Sequence, residues 1–234
     1  SRNGGTWSDG TVYYEVVPKD AFEKILWIDS DRFGYMINTV TEAALEREKQ
    51  VVKNEKRQRV DNAPYGYTDE IIRKNLYPEG HPYNWTVIGA LPDLQAATID
   101  DVKEFYNQYY GAKNGSLVIA GDIDITETKE LVKKWFGEIP SGPEIAALPP
   151  MPVVLEDTKS LYFEDNFAKL PELRIVFPTV EEYHKDSYAL SILGQLLSGS
   201  KKAPLYKVIV EEQKLAPNVG TYQSSSELAG EFIF

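Results

Sequence analysis

A proline-rich segment at residues 142–152 divides the chain into two parts, because no helix can continue from one part into the other. It begins with Gly-Pro, directly after Ser141, and ends with Leu-Pro-Pro-Met-Pro. Each proline removes a backbone donor and fixes φ, so a helix cannot run through this segment, whereas a semi-rigid connection can. We therefore predict a first domain at 1–141, a linker at 142–152 and a second domain at 153–234.

Short helical and strand patterns alternate along both parts. Apolar residues at helical spacing predict helices at the following places: from about Asp20, and at Thr41–Arg59, Asp69–Leu76, Thr98–Gly111, Thr126–Phe136, Asp186–Ser198 and Ala203–Leu215. Apolar or β-branched runs predict strands as follows: from Asn3 to Val17, and at Ser116–Ala120, Ser160–Glu164, Leu173–Phe177, Val219–Gln223 and Glu231–Phe234. The last strand stops with an unpaired apolar edge, so we expect the natural protein to continue.

Composition excludes several classes of function. A net charge of −11 and a pI near 4.8 argue against a nucleic-acid-binding surface, which needs clustered Lys and Arg. No apolar run reaches the roughly 18 residues of a membrane-spanning helix. Cysteine is absent, so there is no thiolate metal site, and both the cytoplasm and the bacterial periplasm are compatible locations.

Two glutamates stand out on the predicted helix Thr41–Arg59. A helical wheel places Glu48 and Glu55 on one arc, because their spacing of seven residues is close to two turns. The same arc carries the apolar residues Ala44, Leu45, Val51 and Val52. We therefore expect this arc to face the core and both carboxylates to be turned inward.

A buried ionised carboxylate costs several kcal/mol unless a cation or a donor compensates it. Three explanations fit the pattern: a buried salt bridge, for example to Arg59; a helix face that is only partly covered; or a metal or catalytic role. The periodicity of the sequence leaves the three explanations open.

The helix itself resembles a segment of a known family. The run Leu45-Glu46-Arg47-Glu48-Lys49-Gln50-Val51-Val52-Lys53-Asn54-Glu55 is similar to the helix that follows the H-x-x-E-H helix in pitrilysin/insulinase (M16) metallopeptidases. In that family the later glutamate of this E-x6-E pattern completes the zinc site, and the earlier one orients a histidine ligand. The resemblance implies that Glu55 is a zinc ligand and that Glu48 supports the site indirectly.

Further segments carry the same resemblance in the family's order. They lie at 3–15, 76–83, 87–89, 109–122 and 205–212, so the resemblance covers nearly the whole chain. The first corresponds to the family's edge strand, which pairs with the substrate peptide. This implies substrate binding by Asn3, Gly4, Gly5 and Thr6. The two glycines permit close backbone approach, although a plain turn explains them equally well.

The resemblance also implies a fold and a reaction. The fold is α+β, with two similar domains of the mitochondrial-processing-peptidase type, each an antiparallel-rich sheet with helices on one side. Both domains are expected to be incomplete here, the first carrying part of the metal site. The implied activity is zinc-dependent hydrolysis of extended peptides, with Zn²⁺ held by two histidines and Glu55 while the glutamate of H-x-x-E-H takes a proton from water.

One departure from the family pattern is large. No H-x-x-E-H occurs, and the only histidines are His81 and His184. We expect the motif to precede Ser1 in the whole protein, so this chain alone should bind zinc weakly and hydrolyse nothing. His81, in the loop Gly80-His81-Pro82, is interpreted as a structural or surface residue, and His184 as a solvated one.

Two other functions remain compatible with the sequence. In the first, the intact protein would be a catalytically silent partner that pairs with an active M16 half or subunit, as a homo- or heterodimer. In the second, it would be a peptide-binding or assembly module that uses the edge strand without zinc. Retention of both Glu48 and Glu55 argues against a silent partner.

Overall fold

The computed structural model describes all 234 residues. The chain forms two compact units. Unit 1 comprises Ser1–Thr6, Thr11–Glu55 and Ile88–Ala147, and unit 2 comprises Trp7–Gly10, Lys56–Val87 and Leu148–Phe234. The last change of unit falls between Ala147 and Leu148. The division into two homologous domains at 142–152 stays a prediction.

The α-helices lie where the apolar periodicity predicts most of them. They are α1 Phe22–Gly34, α2 Glu42–Lys56, α3 Thr68–Leu76, α4 Leu91–Ala96, α5 Ile99–Tyr109, α6 Ile125–Phe136 and α7 Lys185–Ser198. Local signals fix some of the boundaries: Thr98 and Asp101 form a capping box at the start of α5, and the Asp124 side chain caps α6. Arg57–Asp61 and Tyr206–Glu212 are π-helical, the latter inside the predicted helix Ala203–Leu215.

The strands form two small sheets. A hairpin of β1 Arg2–Trp7 and β2 Gly10–Glu15 makes the first. The second has the order β3-β5-β4, with β3 Val176–Thr179, β4 Tyr222–Ser225 and β5 Gly230–Ile233, and both pairings are antiparallel. Phe232 of β5 lies opposite Phe177 on one side and Gln223 on the other. These elements confirm the predicted α+β class.

Two predicted strands are not formed. Ser116–Ala120 and Ser160–Glu164 have no strand structure, and Val118 and Tyr162 are 86% and 90% exposed. An apolar run indicates that a segment is hydrophobic. A strand also needs a neighbouring strand to form hydrogen bonds with, and the local sequence does not specify one. Expecting a doubly buried strand at Ser116–Ala120 was therefore wrong for this chain.

The core of unit 1 is largely aromatic. The ring of Tyr13 packs edge-on against Phe33 at 5.6 Å, and Tyr106 stacks on Tyr110 at 4.9 Å. The hydroxyls of Tyr13 and Tyr110 are 2.6 Å apart and hydrogen-bonded. Burial and the Tyr13 hydroxyl raise the pKa of Tyr110. The aromatic residues thus join β2 to α1 and α5 while their polar ends satisfy one another.

The core of unit 2 combines apolar packing with a polar network. One cluster of buried residues there comprises Leu76, Tyr77, Tyr83, Leu228 and Ala229. The Tyr77 hydroxyl donates to Glu231 at 2.7 Å, and the Tyr83 hydroxyl donates to Asp9 and accepts from the Leu228 N–H at 3.0 Å. Burial and the neighbouring carboxylates raise the pKa values of both tyrosines, so they stay protonated donors.

His81 belongs to this core, with only 3% of its surface exposed. Its Nδ1 accepts the Tyr83 backbone N–H at 3.0 Å, so the ring proton lies on Nε2, which donates to the Met151 carbonyl at 3.0 Å. The ring also packs against Tyr77 at 4.7 Å. Of the two interpretations of His81, the structural one is correct, and both ring nitrogens are committed to backbone groups.

Replacing His81 with Phe should therefore destabilise unit 2. The ring is retained, but the Met151 carbonyl and the Tyr83 N–H lose their partner in a buried setting, at a cost of about 2 kcal/mol or more. Urea unfolding followed by circular dichroism measures the loss. The matched control is His184→Phe, which removes only the α7 cap at Asp186 and should cost about 1 kcal/mol. A larger loss in the control would contradict this role of His81.

Candidate functional site

The hairpin has a register that determines which backbone groups are free. Ser1 and Val16 exchange both backbone hydrogen bonds, each 2.8 Å long. Because bonded pairs alternate with non-bonded pairs in an antiparallel ladder, the N–H and C=O groups of residues 3, 5 and 7 also point at β2. Those of Arg2, Gly4 and Thr6 point away from it. The 3.1 Å contact between the Thr6 and Thr11 hydroxyls agrees with this register.

The outer edge of β1 is accessible. All six residues of β1 are exposed, and its sheet has only two strands. The Gly4 N–H, which faces this edge, is capped by Asn3 Oδ1 at 2.8 Å. The four residues predicted to bind substrate thus lie together on one strand with an open edge.

Gly4 and Gly5 lie inside this strand and not in the turn, which is formed by residues 8 and 9. A Cβ on Gly4 would lie 3.1 Å from the Val12 carbonyl oxygen, tighter than an ordinary contact. A Cβ on Gly5 would meet only a Val12 methyl, at 4.0 Å. Gly4 therefore permits close approach to β2, the hairpin's own strand, and the plain-turn explanation is wrong.

A buried charge cluster, formed by Glu15, Asp29 and Arg32, holds β2 against α1. The Arg32 guanidinium lies 3.3 Å from the Glu15 carboxylate and 2.9 Å from that of Asp29. It also lies 4.7 Å from the centre of the Tyr13 ring. The three charged side chains are 5% to 12% exposed. Arg2 also lies 3.9 Å from Glu15, but its side chain is 59% exposed. The buried side chains thus comprise two acids and one cation, an excess of negative charge.

Burial and the excess of negative charge shift the pKa of Asp29. Its buried Oδ1 has no aligned hydrogen-bond donor, so its contact with Arg32 is ionic without being a hydrogen bond. Burial, followed by the charge of Glu15, raises the pKa of Asp29 to about 6, against the lowering effect of Arg32 and of the more distant Arg2. Asp29 therefore titrates near neutral pH, unlike an ordinary aspartate.

The sequence contains a signal for this cluster on helix α1. Asp29 and Ser30 lie three and four residues after the buried Leu26, on the stripe of α1 that faces the core. A charged residue at such a position indicates a compensated buried charge. What the helical pattern could not supply was the partner Glu15, which comes from another element.

Helix α2 is rotated relative to the prediction. The buried residues on it are Lys49 and Lys56, 6% and 8% exposed, whereas Glu48 is exposed, Glu55 is partly exposed and Val51 is 54% exposed. The prediction that both glutamates lie on a core-facing arc was wrong. The acids lie one residue before the buried lysines; Glu48 is exposed and Glu55 is partly buried.

The buried lysines explain this rotation. The Lys49 ammonium donates to Glu46 at 2.7 Å and to the Gln95 carbonyl at 3.3 Å, in unit 1. The Lys56 ammonium belongs to unit 2, where Asp61 and Glu70 lie at 3.7 and 4.0 Å. A lysine can bury its aliphatic stem when its charge is compensated, and an apolar wheel does not register this.

The residues of this chain do not by themselves form a zinc site. No three His, Cys, Asp or Glu side chains in the structure are arranged so that they could hold a metal ion. His81 is committed to the core of unit 2, and His184 caps α7. Glu55 is one carboxylate, fewer than the three protein ligands that catalytic zinc requires. We therefore assign no chemical step to a metal here.

Comparison with known proteins identifies the class. Residues 96–234 match the sequence model of the family described as "Peptidase M16 inactive domain". The chain therefore belongs to the M16 peptidase family. The match begins after Glu48 and Glu55, so it is independent of the proposed metal-site residues. No helix has the length and apolarity needed to cross a membrane.

Two bacterial relatives illustrate the similarity. The zinc protease PqqE of Helicobacter pylori is 28% identical over 236 residues, covering 99% of this chain and 52% of that protein. The uncharacterized zinc protease YmxG of Bacillus subtilis is 26% identical over 233 residues, covering 97% of this chain and 54% of that protein. The chain thus spans about half the length of these relatives.

A solved structure shows the same fold. The crystal structure of a protease from Helicobacter pylori superposes on this chain with a TM-score of 0.89 at 28% sequence identity. The match covers all of this chain and 56% of that chain. The predicted M16-type fold is confirmed.

The unusual pKa of Asp29 leads to a stability prediction. Since its pKa is raised above the usual value near 4, the stability it contributes is complete below about pH 4 and is lost as the pH rises through about 6. Asp29→Asn should remove this loss, because the amide resembles the neutral acid. The variant should melt at a higher temperature than the wild type at pH 7.5, with the difference shrinking at pH 5.

Thermal melts at the two pH values test this prediction, with Asp31→Asn on the same helix as the control, because Asp31 is exposed. A D29N variant that is less stable than the wild type at pH 7.5 would mean that the Arg32 contact outweighs burial.

Proposed function

We propose that the whole protein is a zinc-dependent endopeptidase that cleaves extended peptides, and that this chain contributes the peptide-binding strand β1 and the carboxylates Glu48 and Glu55. The observation that carries the proposal is the open edge of β1, where the backbone groups of Arg2, Gly4 and Thr6 face away from β2. The names of the relatives as zinc proteases support the reaction class.

Peptide binding follows from the geometry of that edge. An extended peptide that adds as a further strand bonds to main-chain groups, which every sequence possesses, so affinity does not require a particular side chain. The Asn3 side chain, which now accepts the Gly4 N–H, would be displaced by a peptide carbonyl. Until then it protects one donor of an otherwise open edge.

The two glutamates are assigned different roles. Glu55 supplies one zinc ligand, and Glu48, two turns earlier, orients a histidine ligand that comes from outside this chain. Glu48 is exposed on α2, so a group from elsewhere can approach it, and Glu55 is partly exposed two turns later. With one ligand the isolated chain binds zinc weakly and cleaves nothing.

A catalytically silent partner is the second candidate. It is favoured by one observation, the match of residues 96–234 to a domain described as inactive. Zinc content distinguishes a silent partner from the peptidase, because a silent partner would be purified without stoichiometric metal. A peptide-binding module would bind peptide without cleaving it.

A proline at Thr6 tests the peptide edge on the chain as it stands. Thr6→Pro removes an N–H that faces the open edge, while the ladder to β2 keeps its bonds, so peptide affinity should fall about tenfold or more. The probe is a fluorescein-labelled peptide that is free of proline and unstructured in solution, and binding is followed by anisotropy.

Thr6→Val is the matched control, because it also loses the hydroxyl contact with Thr11 but keeps the N–H. It should bind the probe as the wild type does. Equal affinities for the proline and valine variants would place peptide binding elsewhere.

Substitutions on α2 test the metal role in the whole protein. Glu55→Gln should lose zinc and peptidase activity, because an amide is a poor ligand for this ion, whereas Glu48→Gln should retain some metal and bind it about 10- to 100-fold more weakly. Glu42→Gln, on an exposed position of the same helix, is the control. Elemental analysis and peptide hydrolysis are measured together. Stoichiometric zinc and full activity in E55Q would contradict the assignment of Glu55 as a zinc ligand.

A further inference from the structure

Arg32 of α1 contacts strand β2 through two side chains. Its guanidinium contacts the Glu15 carboxylate at 3.3 Å and lies 4.7 Å from the ring centre of Tyr13. Tyr13 and Glu15 are two residues apart and therefore point to the same face of β2. A planar guanidinium can pair with a carboxylate and stack on a ring at the same time, which a lysine cannot do equally well.

The position of Arg32 is itself fixed by its surroundings. Its backbone carbonyl accepts the Tyr106 hydroxyl of α5 at 2.8 Å, and Asp29 lies 2.9 Å from its Nη1. Its side chain is 12% exposed. The guanidinium therefore has little freedom to move, and whatever it holds is fixed relative to α1 and α5.

Strand β2 transmits this constraint to β1. The two strands share the ladder that begins at the Ser1–Val16 pair, and the Arg2 side chain of β1 reaches to 3.9 Å from the Glu15 carboxylate. A two-stranded hairpin is marginally stable by itself, so its position depends on what it packs against. The buried contact of Glu15 with Arg32 is the charged part of that packing.

We propose that Arg32 is a positioning residue for peptide binding: through Glu15 and Tyr13 it holds the hairpin so that the outer edge of β1 is preformed. The inference rests on the proposed function, since it assumes that the edge of β1 takes the peptide. Its physical basis is that a strand ordered in advance loses less conformational entropy when a peptide adds to it.

The experiment measures the affinity of the chain for the same fluorescein-labelled peptide. Arg32→Met keeps most of the aliphatic stem but removes the charge and the stacking plane, and it should weaken binding about tenfold. Arg32→Lys keeps a cation near Glu15 and should recover part of the affinity. Lys134→Met is the matched control, because it removes an ion pair with Glu23 of α1 that does not touch the hairpin, and it should change nothing.

Two measurements separate positioning from simple loss of stability. Far-UV circular dichroism verifies that each variant is folded at the temperature of the binding assay. Hydrogen exchange of the β1 and β2 amides should become faster in Arg32→Met, while the amides of β5 in unit 2 exchange at the wild-type rate. If Arg32→Met does not fold, Glu15→Gln takes its place, because it keeps the shape of the side chain but removes the charge that Arg32 holds.

The outcomes separate this inference from the proposed function. If the wild type binds, Thr6→Pro does not, and folded Arg32→Met binds as tightly as the wild type, then the edge takes peptide but Arg32 does not position it. If the wild type and Thr6→Pro both fail to bind, the peptide edge and the inference fall together. Weakened binding in Arg32→Met with partial recovery in Arg32→Lys supports the inference.

Discussion

The contact between Glu15 and Arg32 is the interaction on which the arrangement of unit 1 depends. A hairpin of two short strands buries too little surface to hold its own position. Burying an ion pair is expensive unless both partners are well compensated, so the hairpin is held where the Arg32 guanidinium, the Tyr13 ring and the Tyr106 hydroxyl all fit together. Asp29 is a second acid beside the same cation, and its raised pKa shows that Arg32 compensates its buried charge incompletely.

Helix α2 shows the same principle with the charges reversed. Its inward positions carry lysines, and each ammonium is matched by a carboxylate or a carbonyl at the end of a long stem. Burial of these cations determines the rotation of the helix, and the rotation leaves Glu48 exposed and Glu55 partly exposed. The acids of the family pattern are thus presented outward because residues next to them are held inward.

Unit 2 is stabilised by polar groups that satisfy one another inside an apolar core. His81, Tyr77 and Tyr83 pack their rings together, and each sends its hydrogen bonds to a carboxylate or to a backbone group. Such networks are costly when incomplete and specific when complete, because every donor requires its one acceptor. Both ring nitrogens of His81 are occupied in this way, so neither is left for a metal.

The sequence by itself determined most of the helices and the family. Apolar spacing and capping residues located the helices, and the E-x6-E helix with its companion segments indicated an M16 peptidase, because both kinds of signal lie within short stretches of chain. Only the tertiary structure decided which face of α2 is buried, that Ser116–Ala120 forms no strand, and that His81 belongs to a core. These outcomes depend on partners far away in sequence, such as Gln95 for Lys49, Met151 for His81 and Arg32 for Glu15. Periodicity along one element cannot reveal a compensating group that another element supplies.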